Sequence, residues 1–180
     1  MPKPTPGAIL PPLVLQTLRG EPLALPAGGP ELLHLQFRRF AGCPICSTHL
    51  RGFVRRADEL KAAGVREVIF FHSSAAELEK HQADLPFDVI PDPTKKHYRA
   101  FGVETSPLAA LHPSVWWAGL RGVLRGKIGL KMENGPLGLP ADFLVSPSGV
   151  VLAVKYGTHA YDQWSVDETL AAAARARAIA

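Results

Sequence analysis

The chain has 180 residues, 47% of them hydrophobic and 20% charged, which is enough for one well-buried core and unlike the balance of a disordered chain. Its formal net charge of +4 comes from 20 Lys and Arg against 16 Asp and Glu spread without a long basic run, so composition gives no reason to expect nucleic acid as a partner. The two cysteines, Cys43 and Cys46, stand too close together to close a structural loop.

Residues 1–12 carry five prolines and only Ala8, Ile9 and Leu10 as an apolar run, which is no secretory h-region. The stretch 108–124 is apolar but broken by His112, Pro113 and Arg121, short of the roughly 20 apolar residues of a membrane span. The expectation is a soluble, cytoplasmic protein with no membrane contact. Residues 13–18 and 22–25 flank Arg19-Gly20-Glu21 and predict a lead-in β-hairpin. Residues 32–37 read as a strand buried on both faces, ending just before Cys43.

From Cys46 onward, Leu50, Phe53, Val54, Ala57 and Leu60 form a helical stripe that Gly64 closes. Residues 65–71 give a second buried strand, so the pair implies a right-handed βαβ unit with parallel strands. Ser74 and Glu77 have capping-box spacing and open a helix to about Ala83. A short strand at 87–90 and a short helix at 94–101 follow. Later, 141–145 and 150–156 flank Ser146-Pro147-Ser148-Gly149 as a hairpin, and Ser165 with Glu168 caps a terminal helix. Residues 104–138, with Trp116, Trp117 and glycines at 119, 122, 126 and 129, read as an insertion in one domain spanning 1–180. That insertion is expected to cover the rim of the site or to form a homodimer contact. A basic membrane-contacting helix, using Arg121, Arg125, Lys127 and Lys131, is the weaker reading because of those glycines.

Cys43-Pro44-Ile45-Cys46 lies between a strand and an amphipathic helix. Proline suits the first helical position, so Pro44 puts Cys43 at the N-cap, where unpaired N–H groups and the helix dipole favour a thiolate. This predicts Cys43 as nucleophile and Cys46, one turn inside, as resolving thiol. A zinc site would need four ligands, and only His49 is at hand locally, so neither metal nor other cofactor is expected. Inert buried cysteines in a non-catalytic binding module remain a third reading.

In this order the pieces resemble the peroxiredoxin-like (alkyl hydroperoxide reductase/thiol-specific antioxidant) branch of the thioredoxin-like superfamily. They are the 13–20 hairpin, the strand with Cys43-Pro44-Ile45-Cys46, Ala63-Gly64-Val65 before Val68-Ile69-Phe70, 85–92 followed by Tyr98 and Phe101-Gly102-Val103, and 139–145 with Gly149. The resemblance implies an α/β thioredoxin-like fold, a central mixed β-sheet flanked by helices, with the N-terminal hairpin and the 104–138 insertion added. It implies a thiol oxidoreductase that reduces peroxides through a Cys43–Cys46 cycle, with a thioredoxin-type electron donor; a protein disulfide reductase is the alternative. It also implies that Pro140 is a cis-proline facing the cysteines. Typical members carry Pro seven and Thr three residues before the peroxidatic cysteine. Here those places hold Gln36 and Phe40 counted from Cys43, or Arg39 and Cys43 counted from Cys46, and the later peroxide-binding Arg has no counterpart near Leu139-Pro140. The usual peroxide-activating set is incomplete, whereas the cysteine pair and Pro140 suit disulfide exchange.

Arg38 and Arg39 precede the site; arginines at a strand end are ordinarily solvated, but beside a thiol they lower its pKa, and Arg39 is taken as site-supporting with Pro44 and Pro140. His72 follows a buried strand at the sheet edge where α/β proteins place their sites, and its plainer reading is a hydrogen-bonded loop residue. His34 reads as a satisfied core histidine.

Overall fold

The computed structural model describes residues 3–103, 105, 133–135 and 137–179. Most of the 104–138 insertion, with Trp116, Trp117 and the basic residues near them, lies outside these.

Two short strands, β1 (Leu13–Gln16) and β2 (Pro22–Leu25), pair antiparallel as the expected hairpin. The main sheet holds β3 (Leu32–Arg38), β4 (Val65–Phe71), β5 (Asp88–Pro91), β6 (Ala141–Val145) and β7 (Val151–Tyr156) in the order β5-β4-β3-β6-β7. β3, β4 and β5 run parallel, and β6 and β7 join antiparallel, so the sheet is mixed. Helices α1 (Pro44–Arg55), α2 (Ala57–Ala62), α3 (Ala75–Gln82), α4 (Lys96–Ala100) and α5 (Val166–Ile179) complete the described elements.

Side-chain alternation along strands divides the interior into two faces. On one, Leu33, Leu35 and Phe37 of β3 meet Val68 and Phe70 of β4, Phe143 of β6, Tyr98 and Phe101 around α4, and Leu15, Leu23 and Leu25 of the hairpin. Phe37 stacks on Phe70 at 4.5 Å and meets Tyr98 edge-on at 5.1 Å. Each such fully buried ring contributes about 1.5–3 kcal/mol. The other face lies under α1, α2 and α5, where Leu32, Phe53, Leu60, Leu144, Val166 and Ala173 pack. The Pro-rich start joins the core as well: Ile9 bridges Val150 and Leu10 is buried.

Three local expectations change. The single helix after Cys46 is two, broken at Arg56 (φ −117°, ψ 24°), whose side chain is held by Glu59 and Asp167. Ser74 is the N-cap of α3 without a capping box, because its N–H and hydroxyl donate to the Glu133 carboxylate, which displaces Glu77. The short helix over 94–101 narrows to α4, whose first N–H groups, from Lys96 and His97, are received by Asp92. At α5 the expected box does form: Glu168 N–H donates to Ser165 Oγ, and Ser165 N–H to the Glu168 carboxylate.

Candidate active site

β3 delivers the chain to the cysteines. A turn follows Arg38 in which Cys43 N–H donates to the Phe40 carbonyl at 3.0 Å, and the Cys43 carbonyl then receives Ser47 N–H at 3.0 Å. Pro44 opens α1, so Cys43 is its N-cap in extended backbone (φ −66°, ψ 115°), as the sequence predicts. Both thiols are free and buried, at 0% and 1% exposure, among Phe40, Ile45, Leu50 and Phe71.

The electrostatics reverse the expected order of acidity. Burial, followed by the hydrogen bond that Cys43 shares with Cys46, pushes the Cys43 thiol up. That same bond lowers Cys46, with help from the Arg39 charge, the Arg39 backbone N–H and the Arg38 charge, and these overcome its burial. The helix start favours a thiolate at either position, and the Arg39 charge and one backbone N–H act on each sulfur, so it is the hydrogen bond between the two thiols that sets them apart. Solvated arginines are likewise not what the structure holds: Arg38 is 0% and Arg39 7% exposed.

Arg38 is buried because a polar chain crosses the sheet beneath α1. Its guanidinium donates to the Asp142 carboxylate at 2.6 Å and to Gln36 Oε1 at 2.6 and 3.0 Å. His34 sits between two carboxylates, with Nδ1 2.8 Å from Glu67 and Nε2 3.3 Å from Asp142, and Gln36 Nε2 donates to Glu67. Burial alone would lower His34, yet Glu67 and Asp142 raise it to about 9, so it is charged at neutral pH. Burial opposes ionisation of Asp142 too, and Arg38 and His34 hold it well below the usual carboxylate range. His34 is thus a core histidine as expected, hydrogen-bonded at Nδ1 and ion-paired but not hydrogen-bonded at Nε2, as part of a cluster with Glu67, Asp142 and Arg38. His49, the local recruit for a metal, has Nε2 3.5 Å from Arg38 Nη2, and burial with the Arg38 charge pushes it down to about 3.

The implied cis-proline is not present. Leu25–Pro26 is the cis bond among the described residues, and Leu139–Pro140 is trans. Pro140 behaves as a strand-start residue: its carbonyl receives Gly157 N–H at 2.9 Å and Ala141 enters β6 opposite Tyr156.

The 72–74 turn, after β4, closes the other side. Ala41 N–H donates to Ser73 Oγ at 3.0 Å, tying it to the turn before Cys43. His72 Nδ1 lies 3.1 Å from the Glu133 carbonyl, and Asn134 Nδ2 donates to the His72 carbonyl. Burial, then the Lys95 charge, push the His72 ring down to about 4. The described end of the insertion therefore lies against this turn, and Thr105 bridges Gly138 beside it. Sequence reasoning missed Glu67, Gln36 and Asp142. Their signal was polar or charged residues inside otherwise apolar strands, at positions that alternation places on one face.

A family model described as AhpC/TSA antioxidant enzyme matches residues 52–159, more than half of the chain. No curated protein sequence matches. Among solved structures, the chain is similar to peroxidoxin BcpB from Mycobacterium tuberculosis (18% identity, 98% of this chain and 99% of that one covered, TM-score 0.68). It is similar also to a putative thiol:disulfide interchange protein DsbE from Chlorobium tepidum (19%, 95% and 99%, 0.63) and to AhpC of Mycobacterium bovis (16%, 100% and 96%, 0.69). At these identities the likeness shows the thioredoxin-like fold.

Proposed function

Because the chain belongs to the AhpC/TSA antioxidant enzyme family, we propose that this thiol-dependent oxidoreductase reduces peroxides through a Cys43–Cys46 redox cycle. The observation that favours a peroxide over a protein disulfide is burial: sulfurs 0% and 1% exposed suit a small oxidant better than a folded one. The Cys46 thiolate attacks the terminal oxygen of the hydroperoxide. An S–O bond forms, the O–O bond breaks, and the departing alkoxide takes a proton from water. Cys43 then displaces water from the Cys46 sulfenic acid to give the disulfide, and a thioredoxin-type dithiol returns two electrons and two protons. Cys43 is the resolving thiol in this scheme, since the hydrogen bond between the two thiols is the first cause that lowers Cys46.

The test is stopped-flow oxidation of the reduced protein by hydrogen peroxide and an organic hydroperoxide, set against a free thiol and against insulin reduction. A peroxide rate well above the free thiol is expected. A rate no better, with brisk insulin reduction, would assign a disulfide reductase, and inactivity in both a binding module. Cys43→Ser should accumulate sulfenic acid on Cys46 by mass spectrometry, and Cys46→Ser should lose the fast reaction.

A further inference from the structure

The turn that carries Cys43 is held by side chains from outside the cysteine segment. Phe40 and Cys43 close it through the bond between their carbonyl and N–H, which leaves Ala41 and Gly42 at its centre. Ala41 stands past the ladder of β3 and is 2% exposed, so its own N–H and carbonyl have neither a strand partner nor free access to water. Each is met by one side chain. Ser73 Oγ receives the Ala41 N–H at 3.0 Å, and Gln82 Nε2 donates to the Ala41 carbonyl at 2.6 Å. Both partners are buried, and they flank α3: Ser73 stands just before its N-cap Ser74, and Gln82 is its last residue.

Gln82 also reaches the far side of the cysteine pair. Its Nε2 lies 3.5 Å from Ser47 Oγ, on α1 one residue past Cys46. A carbonyl only accepts, so Ala41 orients the amide with its NH2 toward the turn. The two pins act on Cys43 through the chain: Ala41 is two residues away, and the Cys43 N–H is bound inside the same turn. Cys43 in turn shares a hydrogen bond with Cys46.

We propose that Gln82 and Ser73 are positioning residues that hold Cys43 against Cys46 and thereby speed closure of the disulfide. This rests on the Cys43–Cys46 cycle proposed above and concerns its second step. Once peroxide has oxidised Cys46, the Cys43 sulfur attacks the sulfur of the sulfenic acid. The S–S bond forms, the S–O bond breaks, and the hydroxyl leaves as water with the thiol proton of Cys43. A second peroxide competes for the same sulfenic acid and takes it to sulfinic acid, with water as the other product. A Cys43 already in place wins by proximity, and one carried on a loosened turn has to find the sulfur again.

The experiment oxidises reduced wild type, Gln82→Met, Ser73→Ala and Lys80→Gly over a series of hydrogen peroxide concentrations, with folding checked by circular dichroism. Peptide mass spectrometry reads the fraction of protein that ends as sulfinic acid rather than disulfide. Gln82→Met keeps the length of the side chain and removes the donor; Ser73→Ala removes the acceptor. Each should reach half conversion to sulfinic acid at about tenfold lower peroxide, the rate equivalent of one hydrogen bond of ordinary strength. Lys80→Gly loosens α3 on its exposed side, where Lys80 pairs with Glu77, without touching Ala41, and should match wild type. That control separates positioning from the stability of the helix. Wild-type sensitivity in a folded Gln82→Met or Ser73→Ala, or an equal shift in Lys80→Gly, would overturn the positioning. The fraction does not depend on how fast the sulfenic acid forms, so a wild-type peroxide rate no better than a free thiol would overturn the peroxide reading alone. Sulfinic acid mapped to Cys43 would instead overturn the assignment of roles to the two thiols.

Discussion

Asp142→Asn tests whether the buried cluster holds Arg38 in place by charge. Four groups balance beneath α1: Glu67 and Asp142 against His34 and Arg38. Replacing Asp142 leaves one uncompensated positive charge in a region with 0% exposure at His34, Arg38 and Asp142. The amide cannot repair this, because its NH2 would face either the Arg38 donors or the Trp164 N–H that Asp142 Oδ2 now receives at 3.1 Å. Breaking a buried ion pair typically costs about 3–5 kcal/mol. The cheapest relief is for His34 to shed its proton. Its ring titrates near 6.5 when unfolded and at about 9 in the fold, so forgoing that proton costs about 3 kcal/mol. A loss of about 3 kcal/mol at pH 7 is expected, which lowers the urea midpoint by about 1.5 M at a slope of about 2 kcal/mol per molar.

The pH dependence carries the sharper test. The folded state binds the His34 proton more tightly than the unfolded chain, so stability falls as pH rises wherever the two differ in protonation. In wild type the His34 contribution is complete below pH 6.5 and disappears as pH passes about 9. In Asp142→Asn most of it is already missing, so the gap between the two proteins should narrow from pH 7 to 10. Urea denaturation followed by tryptophan fluorescence over that range measures it. A gap below about 1 kcal/mol at pH 7, or one that stays constant to pH 10, would refute a charged His34 held by Asp142.

Arg39→Met removes the largest cationic influence on Cys46, so its thiol should titrate higher. Iodoacetamide alkylation at pH 7 should slow on the order of tenfold, with the midpoint of the pH–rate profile moved up; an unmoved midpoint would dismiss Arg39 as a thiolate stabiliser. Ser165→Ala breaks the capping box of α5 and should cost about 1 kcal/mol, seen as a fall of about 2–4 °C in Tm by differential scanning fluorimetry.

What the sequence made legible divides by range of interaction. The same Ser-x-x-Glu pattern occurs at Ser74 and Ser165, and only the second forms its box, because Glu133 reaches Ser74 from far along the chain. The strands, Gly64 and Gly149 in left-handed backbone, and Cys43 at the N-cap with Pro44 behind it all follow from neighbours in sequence. The acidity of the cysteines does not. It rests first on burial and on the hydrogen bond between the two thiols, then on Arg39, and the smaller Arg38 contribution comes from a guanidinium that Asp142 meets from 104 positions away.

Strand parity explains how that meeting arises. In β3 the even positions His34, Gln36 and Arg38 share a face. The parallel register sets His34 beside Glu67, and the antiparallel register sets Gln36 beside Asp142. A slip of one residue in either pairing would send Glu67 or Asp142 into the Phe37–Phe70–Phe143 side, unpaired in an apolar core. The charges in the strands therefore select the register that sets Arg38 against Asp142 at the end of β3, just before the turn to the cysteines, so the polar cluster inside the apolar strands is what aligns the sheet with the site.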